Sequence, residues 1–317
     1  MRSGRVLVDA PPFPLELVSE LLAGTGVGVD AAAPPWQGDD VLGLLSWQQV
    51  SAEDFARLPA LEVVATCSVG FDHIAVDAAA RSGVWVCNVP DYCVEEVADS
   101  TLALVLALLR GVVALDRSVR SGRWDEHAAG PLRRIGSTRL GVVGFGRIGR
   151  AVASRARGAG FAVSVADPFV SEAEIKAAGV GPASLDELLA GSDVVSLHAP
   201  LLPETEGLIG ERELALMPPG AYLVNAARAA LLDWPALMRA LDSEHLGGAA
   251  VDVLPVEPPT AERPAPEHPR LIVTPHAAWY SPEAEDAVYR RSALAVRAVL
   301  DGREPDGAVV RPGQRSQ

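Results

Sequence analysis

The chain has 317 residues, room for two domains of ordinary size, and is 49% hydrophobic and 21% charged, as expected of a globular protein with a sizeable core. Its formal net charge of −14 disfavours nucleic acid and anionic membranes as partners, because both need a basic surface. The three cysteines, Cys67, Cys87 and Cys93, are odd in number and no Cys/His cluster has zinc-like spacing. Buried free thiols in a reducing compartment, and no metal site, are the expectation.

The segment after Met1 runs directly into a strand-like stretch, Arg5 to Val8, with no three-part signal peptide. Further short apolar runs at Val41 to Leu45, Val63 to Thr66 and Val84 to Val86 read as buried strands. Helical patterns lie between them at Pro14 to Leu22, Ala52 to Arg57 and Val76 to Ser82. Such alternation predicts a parallel sheet with helices on its faces. One long helix is predicted over Val94 to Ser121, carrying the chain into a second domain. Its most apolar run, Leu102 to Leu109, is too short to span a bilayer, so a cytoplasmic protein is expected.

Gly130 to Arg139 reads as a connector. A second alternating region follows, with strands at Leu140 to Val143, Ala162 to Ala166, Val194 to Leu197, Ala221 to Asn225, Gly248 to Val253 and Leu271 to Thr274. Helices are expected at Arg147 to Gly160, Ser184 to Ala190, Glu211 to Leu216 and Trp234 to Asp242. A Pro-rich loop spans Pro255 to Pro269, and a closing helix, Glu283 to Leu300, returns to the first domain.

Gly144-Phe145-Gly146-Arg147-Ile148-Gly149 follows a strand and opens a helix, and Asp167 ends the next strand eighteen residues after Gly149. That context turns a common glycine pattern into the dinucleotide fingerprint, whose acidic residue stands ~20 residues on. Gly144 permits the turn, Gly146 lets backbone approach a pyrophosphate, and Gly149 lets the helix pack on the strand. The helix N-terminus offers N–H groups and partial positive charge. Asp167 can accept both hydroxyls of the adenosine ribose and would repel a 2′-phosphate, with no arginine in Pro168-Phe169 to offset it, so NAD is preferred over NADP.

Three later segments hold the remaining chemistry: Val224-Asn-Ala226-Ala227-Arg228, Val251-Asp252-Val-Leu-Pro-Val-Glu257 and Thr274-Pro-His276-Ala-Ala278-Trp279-Tyr280. With the glycine loop, their order and spacing resemble the D-isomer-specific 2-hydroxyacid dehydrogenases over nearly the whole chain. Val86 to Pro90, Val94 to Thr101 and Thr274 to Ser281 look most like the C-terminal-binding-protein branch. The resemblance implies two Rossmann-like domains: a doubly wound parallel dinucleotide-binding sheet over 99–279, and a flavodoxin-like substrate domain over 1–98 and 280–317. It implies a homodimer, an active site in the cleft, and closure that excludes water.

By the same resemblance Arg228 binds substrate, Glu257 is the acidic partner and His276 the acid/base. The chemistry agrees, since a forked guanidinium suits a carboxylate and an imidazole titrates near neutrality. Val69 and Gly70, in the turn Ser68 to Asp72, would hold the substrate carboxylate, and Trp279 would line the pocket. Asp252 would accept from the nicotinamide amide. Val97, His198-Ala199-Pro200, Thr205, Ala226, Ala227, Arg228, His276 and Ala278 would line the NAD site. Taken singly, each has a bland reading: a strand-to-helix turn, a surface ion pair, a capped strand end. Relatives usually have glycine after the arginine, where this chain has Ala229, and alanine is disfavoured at positive φ.

The leading expectation is hydride transfer between NAD and a small D-2-hydroxy acid/2-keto acid pair. The alternatives are an NAD-responsive partner-binding protein and a dehydrogenase of a phosphonate or inorganic oxyanion.

Overall fold

The computed structural model describes residues 3–9 and 13–313. Met1, Arg2 and the last four residues of the expected substrate domain, 314–317, lie outside the described residues. The chain divides into two compact units, Met1–Tyr92 with Ser281–Gln317, and Cys93–Tyr280.

The first unit opens with β1 (Arg5–Asp9), α1 (Leu15–Leu21), β2 (Gly28–Ala32), β3 (Val41–Ser46), α2 (Ala52–Arg57), β4 (Val63–Thr66), α3 (Val76–Ser82) and β5 (Trp85–Cys87). All six residues of β3 and all four of β4 are buried, as continuous apolar runs between two helical layers should be. Ser51 starts α2 with a capping box: its hydroxyl accepts from the Asp54 N–H at 3.4 Å, and the Asp54 carboxylate accepts from the Ser51 N–H at 2.8 Å.

In the second unit the expected helix over Val94 to Ser121 is two helices, α4 (Val94–Leu109) and α5 (Val112–Arg120), bent by 59°. Gly111 sits between them at φ +61°, where a Cβ would lie 2.3 Å from the Cβ of Ala129. The break falls at Arg110-Gly111, and apolar residues resume at Val112, so the apolar pattern alone reads as one helix. Among the described residues no single helix is long and apolar enough to cross a membrane.

The unit continues with β6 (Arg139–Val143), α6 (Arg147–Gly158), β7 (Ala162–Ala166), α7 (Glu172–Ala177), β8 (Gly181–Pro182), α8 (Leu185–Gly191), β9 (Val194–Leu197), α9 (Glu211–Leu216), β10 (Ala221–Asn225), α10 (Trp234–Asp242), β11 (Leu246–Val251) and β12 (Leu271–Val273). Helix α11 (Pro282–Leu300) and β13 (Ala308–Val310) return to the first unit.

The first sheet runs β13-β5-β4-β3-β1-β2, with only β13 antiparallel. The second runs β12-β11-β10-β9-β6-β7-β8 and is parallel throughout. On one face of the second sheet Leu197, Leu223 and Leu237 are wholly buried; on the other, Leu140, Val165 and Ala156 are. Each fully buried leucine contributes roughly 2 kcal/mol. Both units are α/β Rossmann-like layers, as the alternation predicts.

Candidate active site

Strand order in the second sheet reverses between β6 and β9: the chain walks outward from β6 through β7 to β8, then from β9 through β10 and β11 to β12. In a parallel sheet the segments leaving the C-terminal strand ends share one edge, and the ligand crevice opens at the reversal. Gly144 leaves β6, Asp167 leaves β7, His198 leaves β9, Ala226 to Arg228 leave β10, Asp252 leaves β11, and Thr274 to His276 leave β12. Topology thus brings most of the sequence-predicted residues of this unit to a single edge.

The glycine loop fits a dinucleotide. Gly144 has φ +92°, and a Cβ on Gly149 would stand 2.1 Å from the Gly144 carbonyl oxygen, so α6 touches the loop backbone. Gly146 caps α6 without a side-chain hydrogen bond, and the first turn holds no acidic residue, leaving its N–H groups to an anion. The Asp167 carboxylate accepts from Phe145 N–H at 2.7 Å and Phe169 N–H at 2.8 Å. Each oxygen keeps a lone pair for a ribose hydroxyl. Arg150 lies over the Phe145 ring at 4.5 Å, fixing the loop from outside, while Arg147 at the helix start is exposed.

On the neighbouring loop, His198 pairs through Nε2 with the Ser196 hydroxyl at 2.8 Å, and burial pushes its pKa down to about 4, so it is neutral near pH 7. Thr205 is committed to its own loop: its hydroxyl donates to the Pro200 carbonyl at 2.6 Å and accepts from Leu202 N–H at 2.8 Å. Val97 is buried in α4, whose Ser100 donates to the Ala278 carbonyl at 3.1 Å.

His276 Nδ1 lies 2.6 Å from Glu257 Oε2. The other oxygen of Glu257 accepts from Leu254 N–H at 2.5 Å. Burial pushes the Glu257 carboxyl up, but the bonds from His276 and Leu254 and the charges of His276 and Arg228 outweigh it and hold it below the ordinary carboxylate value. Arg228 therefore acts on the same carboxylate as His276. The backbone of Arg228 is held by Asn225, fully buried at the end of β10, whose Nδ2 donates to Arg228 O at 2.8 Å and whose Oδ1 accepts from Ala227 N–H at 3.0 Å. Ala229 opens a 3-10 turn, Ala229–Leu231, and is not at positive φ, so the missing glycine costs no strain here.

His276 itself occupies the left-handed region, at φ +54°. For a non-glycine residue that costs on the order of 1–3 kcal/mol unless its surroundings impose it. Buried Asp252 imposes it. Its carboxylate accepts from Thr274 Oγ1 at 2.5 Å, Ala277 N–H at 3.0 Å and Ala278 N–H at 2.8 Å, and its carbonyl accepts from His276 N–H at 2.8 Å. Three of roughly four carboxylate acceptor sites are thus spent holding the His276 turn, which favours the capped strand end as the main work of Asp252. Trp279 is half-buried and stacks edge-on with Tyr280, their centroids 5.7 Å apart.

Val69 and Gly70 lie in the first unit, half-buried in the loop between β4 and α3. The side chains that hold the predicted residues, Asn225 and Thr274 here and Thr66, His73 and Asn88 in the first unit, escaped the sequence reading. Asn225 alone carried a local signal, as an Asx residue at a strand-to-turn junction.

Fold and edge together define a dinucleotide-binding scaffold. Residues 102–278 match the model of the D-isomer specific 2-hydroxyacid dehydrogenase NAD binding domain, and the chain belongs to that family. It is 41% identical over 263 residues to D-3-phosphoglycerate dehydrogenase of Mycobacterium tuberculosis, covering 83% of this chain and 49% of that one. It spans about half the length of the curated relatives it matches. Among solved structures, a protein from Thermus thermophilus is 35% identical with TM-score 0.84, covering 96% of this chain and all of that one. A D-lactate dehydrogenase of Aquifex aeolicus complexed with NAD and lactic acid is 28% identical with TM-score 0.87, covering 97% of this chain and 100% of its own.

Proposed function

We propose that this chain is an NAD-dependent dehydrogenase that interconverts a small D-2-hydroxy acid and its 2-keto acid. The observation that carries the reading is the 2.6 Å His276–Glu257 pair, with the charge of Arg228 on the same carboxylate, at the edge where the family's NAD-binding domain opens. NADH, when bound, supplies the hydride for the keto carbon. The chain supplies the proton and the counter-charge.

With Nδ1 turned to Glu257, His276 has Nε2 for the reacting oxygen. In reduction the imidazolium donates its Nε2 proton to the carbonyl oxygen as negative charge develops there, and becomes neutral imidazole. In oxidation neutral His276 takes the hydroxyl proton. Glu257, ionised through the neutral range, orients the ring and stabilises its charged form. Arg228 offers a permanent charge and a planar fork to the substrate carboxylate and keto oxygen. Asp167 accepts from the adenosine ribose, and its charge disfavours NADP. The first unit, with Val69 and Gly70, receives the substrate carboxylate, and Trp279 bounds its side chain.

Of the relatives named above, one is a D-3-phosphoglycerate dehydrogenase and one a D-lactate dehydrogenase, and neither singles out the C-terminal-binding-protein branch. A homodimer is part of the proposal. Val112 and Val119, seven residues apart on α5, are half exposed, and Trp124 just beyond is 91% exposed, a surface that a second copy would cover. A reducing, cytoplasmic setting suits the three buried free thiols. The test is to mix the protein with NADH and a panel of 2-keto acids and follow loss of NADH absorbance. Turnover of at least one is expected; none, with none from NAD and the matching hydroxy acids, would contradict the reading.

A further inference from the structure

The loop Ser68 to Asp72 of the first unit is held by side chains that carry no assigned role. Three successive carbonyls in it are tied back. Ser68 O accepts from Val89 N–H at 3.0 Å, Val69 O from Asn88 Nδ2 at 2.6 Å, and Gly70 O from the Ser68 hydroxyl at 2.5 Å. In a trans peptide the carbonyl and the following N–H point in opposite directions. The N–H groups of Val69, Gly70 and Phe71 therefore each face away from their tie. Among the described residues, none of the three donates a hydrogen bond.

The third tie has a fixed direction. Ser68 spends its one hydroxyl proton on Gly70 O, so in its 2.7 Å contact with Thr66 Oγ1 it must accept. Thr66, wholly buried at the end of β4, thereby spends its own proton, and must accept from His73 Nε2 at 2.9 Å. The relay runs His73 Nε2–H to Thr66, Thr66 to Ser68, and Ser68 to the Gly70 carbonyl. It holds only with a proton on His73 Nε2. Asn88 is anchored separately, its own N–H donating to Gly307 O at 2.9 Å.

We infer that Thr66, His73, Ser68 and Asn88 are positioning residues that lock three consecutive backbone N–H groups, those of Val69, Gly70 and Phe71, into a preformed receptor for the carboxylate of the substrate. The inference rests on the proposed dehydrogenase reading for the identity of that carboxylate. It adds Phe71 to the donors and gives neutral side chains a share, beside Arg228, in the control of affinity. Preorganised N–H groups need no side-chain cation beside them to bind an anion.

The test uses the full chain with Thr66→Val, which keeps the shape and removes the relay, Asn88→Ala, and the conservative Thr66→Ser. In Thr66→Val and Asn88→Ala the KM for the 2-keto acid should rise about tenfold or more, ~1.4 kcal/mol in carboxylate affinity. The kcat should stay within about twofold and the NADH Kd should not change. Thr66→Ser should restore the wild-type KM. An unchanged KM in folded variants, or a fall in kcat alone, overturns the assignment.

Backbone amide resonances of the isotope-labelled wild type give a second readout, independent of turnover and of variant folding. Those of Val69, Gly70 and Phe71 should move on titration with pyruvate and stay still with its uncharged methyl ester. If they do not move, or move equally with the ester, the receptor is refuted. If they move with pyruvate while no keto acid is turned over, the dehydrogenase reading fails and the receptor stands.

Discussion

At the scale of single residues, what distinguishes the site is strain held by hydrogen bonds. His276 takes a left-handed backbone that few non-glycine residues adopt, and buried Asp252 closes the turn around it. That His276, Glu257 and Arg228 act on one another was legible from their place in one ordered set of motifs, since taken singly each has a bland reading. Asn225, Thr274 and Thr66 were not, because a buried hydroxyl or amide takes its role from partners brought close only by folding. Asp9 makes the same point away from the site. It is buried, and burial pushes its carboxyl up against the opposing bonds from Trp47 N–H, Ser46 and Gln48. A raised acid stabilises the fold fully below its unfolded value, here 3.8, and that contribution is lost as pH rises through the folded value. Asp9→Asn should therefore flatten the decline of Tm between acid and neutral pH and be at least as stable as wild type at pH 7. A variant clearly less stable at pH 7 would show that the charged form is the one the fold prefers.

At the scale of elements, boundaries followed local chemistry where local chemistry was strong. Strands β4, β7, β9 and β10 and helices α2, α3, α9 and α10 match their expected ranges, each being an apolar run or an amphipathic stretch with clear punctuation. Strands β2, β8 and β13 and helix α7 were not legible. All three strands lie at sheet edges: β2 has a largely exposed sequence, β8 is two residues long, and β13 is a three-residue antiparallel addition. Their pairing comes from the sheet and not from their own pattern. The break between α4 and α5 falls at Gly111, whose left-handed φ of +61° ends the first helix, and no hydrophobic periodicity reports it. The junction of β6 and α6 is where element packing meets ligand binding. Gly149→Ala would push α6 off the Gly144 carbonyl, and NADH binding, followed by its fluorescence, should weaken about tenfold or more, ~1.4 kcal/mol. Unchanged binding would mean that the helix can shift without disturbing the phosphate-facing N–H groups.

At the scale of the whole molecule, the two-unit α/β architecture and the family were readable because they rest on long-range order: strand–helix alternation twice over, and motifs at spacings that put six strand ends on one edge. Under the proposed function the overall negative charge is compatible with an anionic substrate, because Arg228 and backbone N–H groups would meet it locally. Assembly is a whole-molecule property, and the exposed face of α5 with Trp124 makes it testable. Trp124→Ala with Val119→Ser should shift sedimentation from dimer toward monomer while leaving NADH binding in place. A wild type that sediments as a monomer at micromolar concentration would remove the dimer from the account.

The proposed chemistry stands on His276 as the proton donor. Its most direct test compares wild type and His276→Ala in a single turnover, with NADH bound first and a reactive 2-keto acid added second. Hydride transfer should slow by about a hundredfold to ten-thousandfold in the variant while the NADH Kd is unchanged. Transfer at the wild-type rate in His276→Ala would contradict that role.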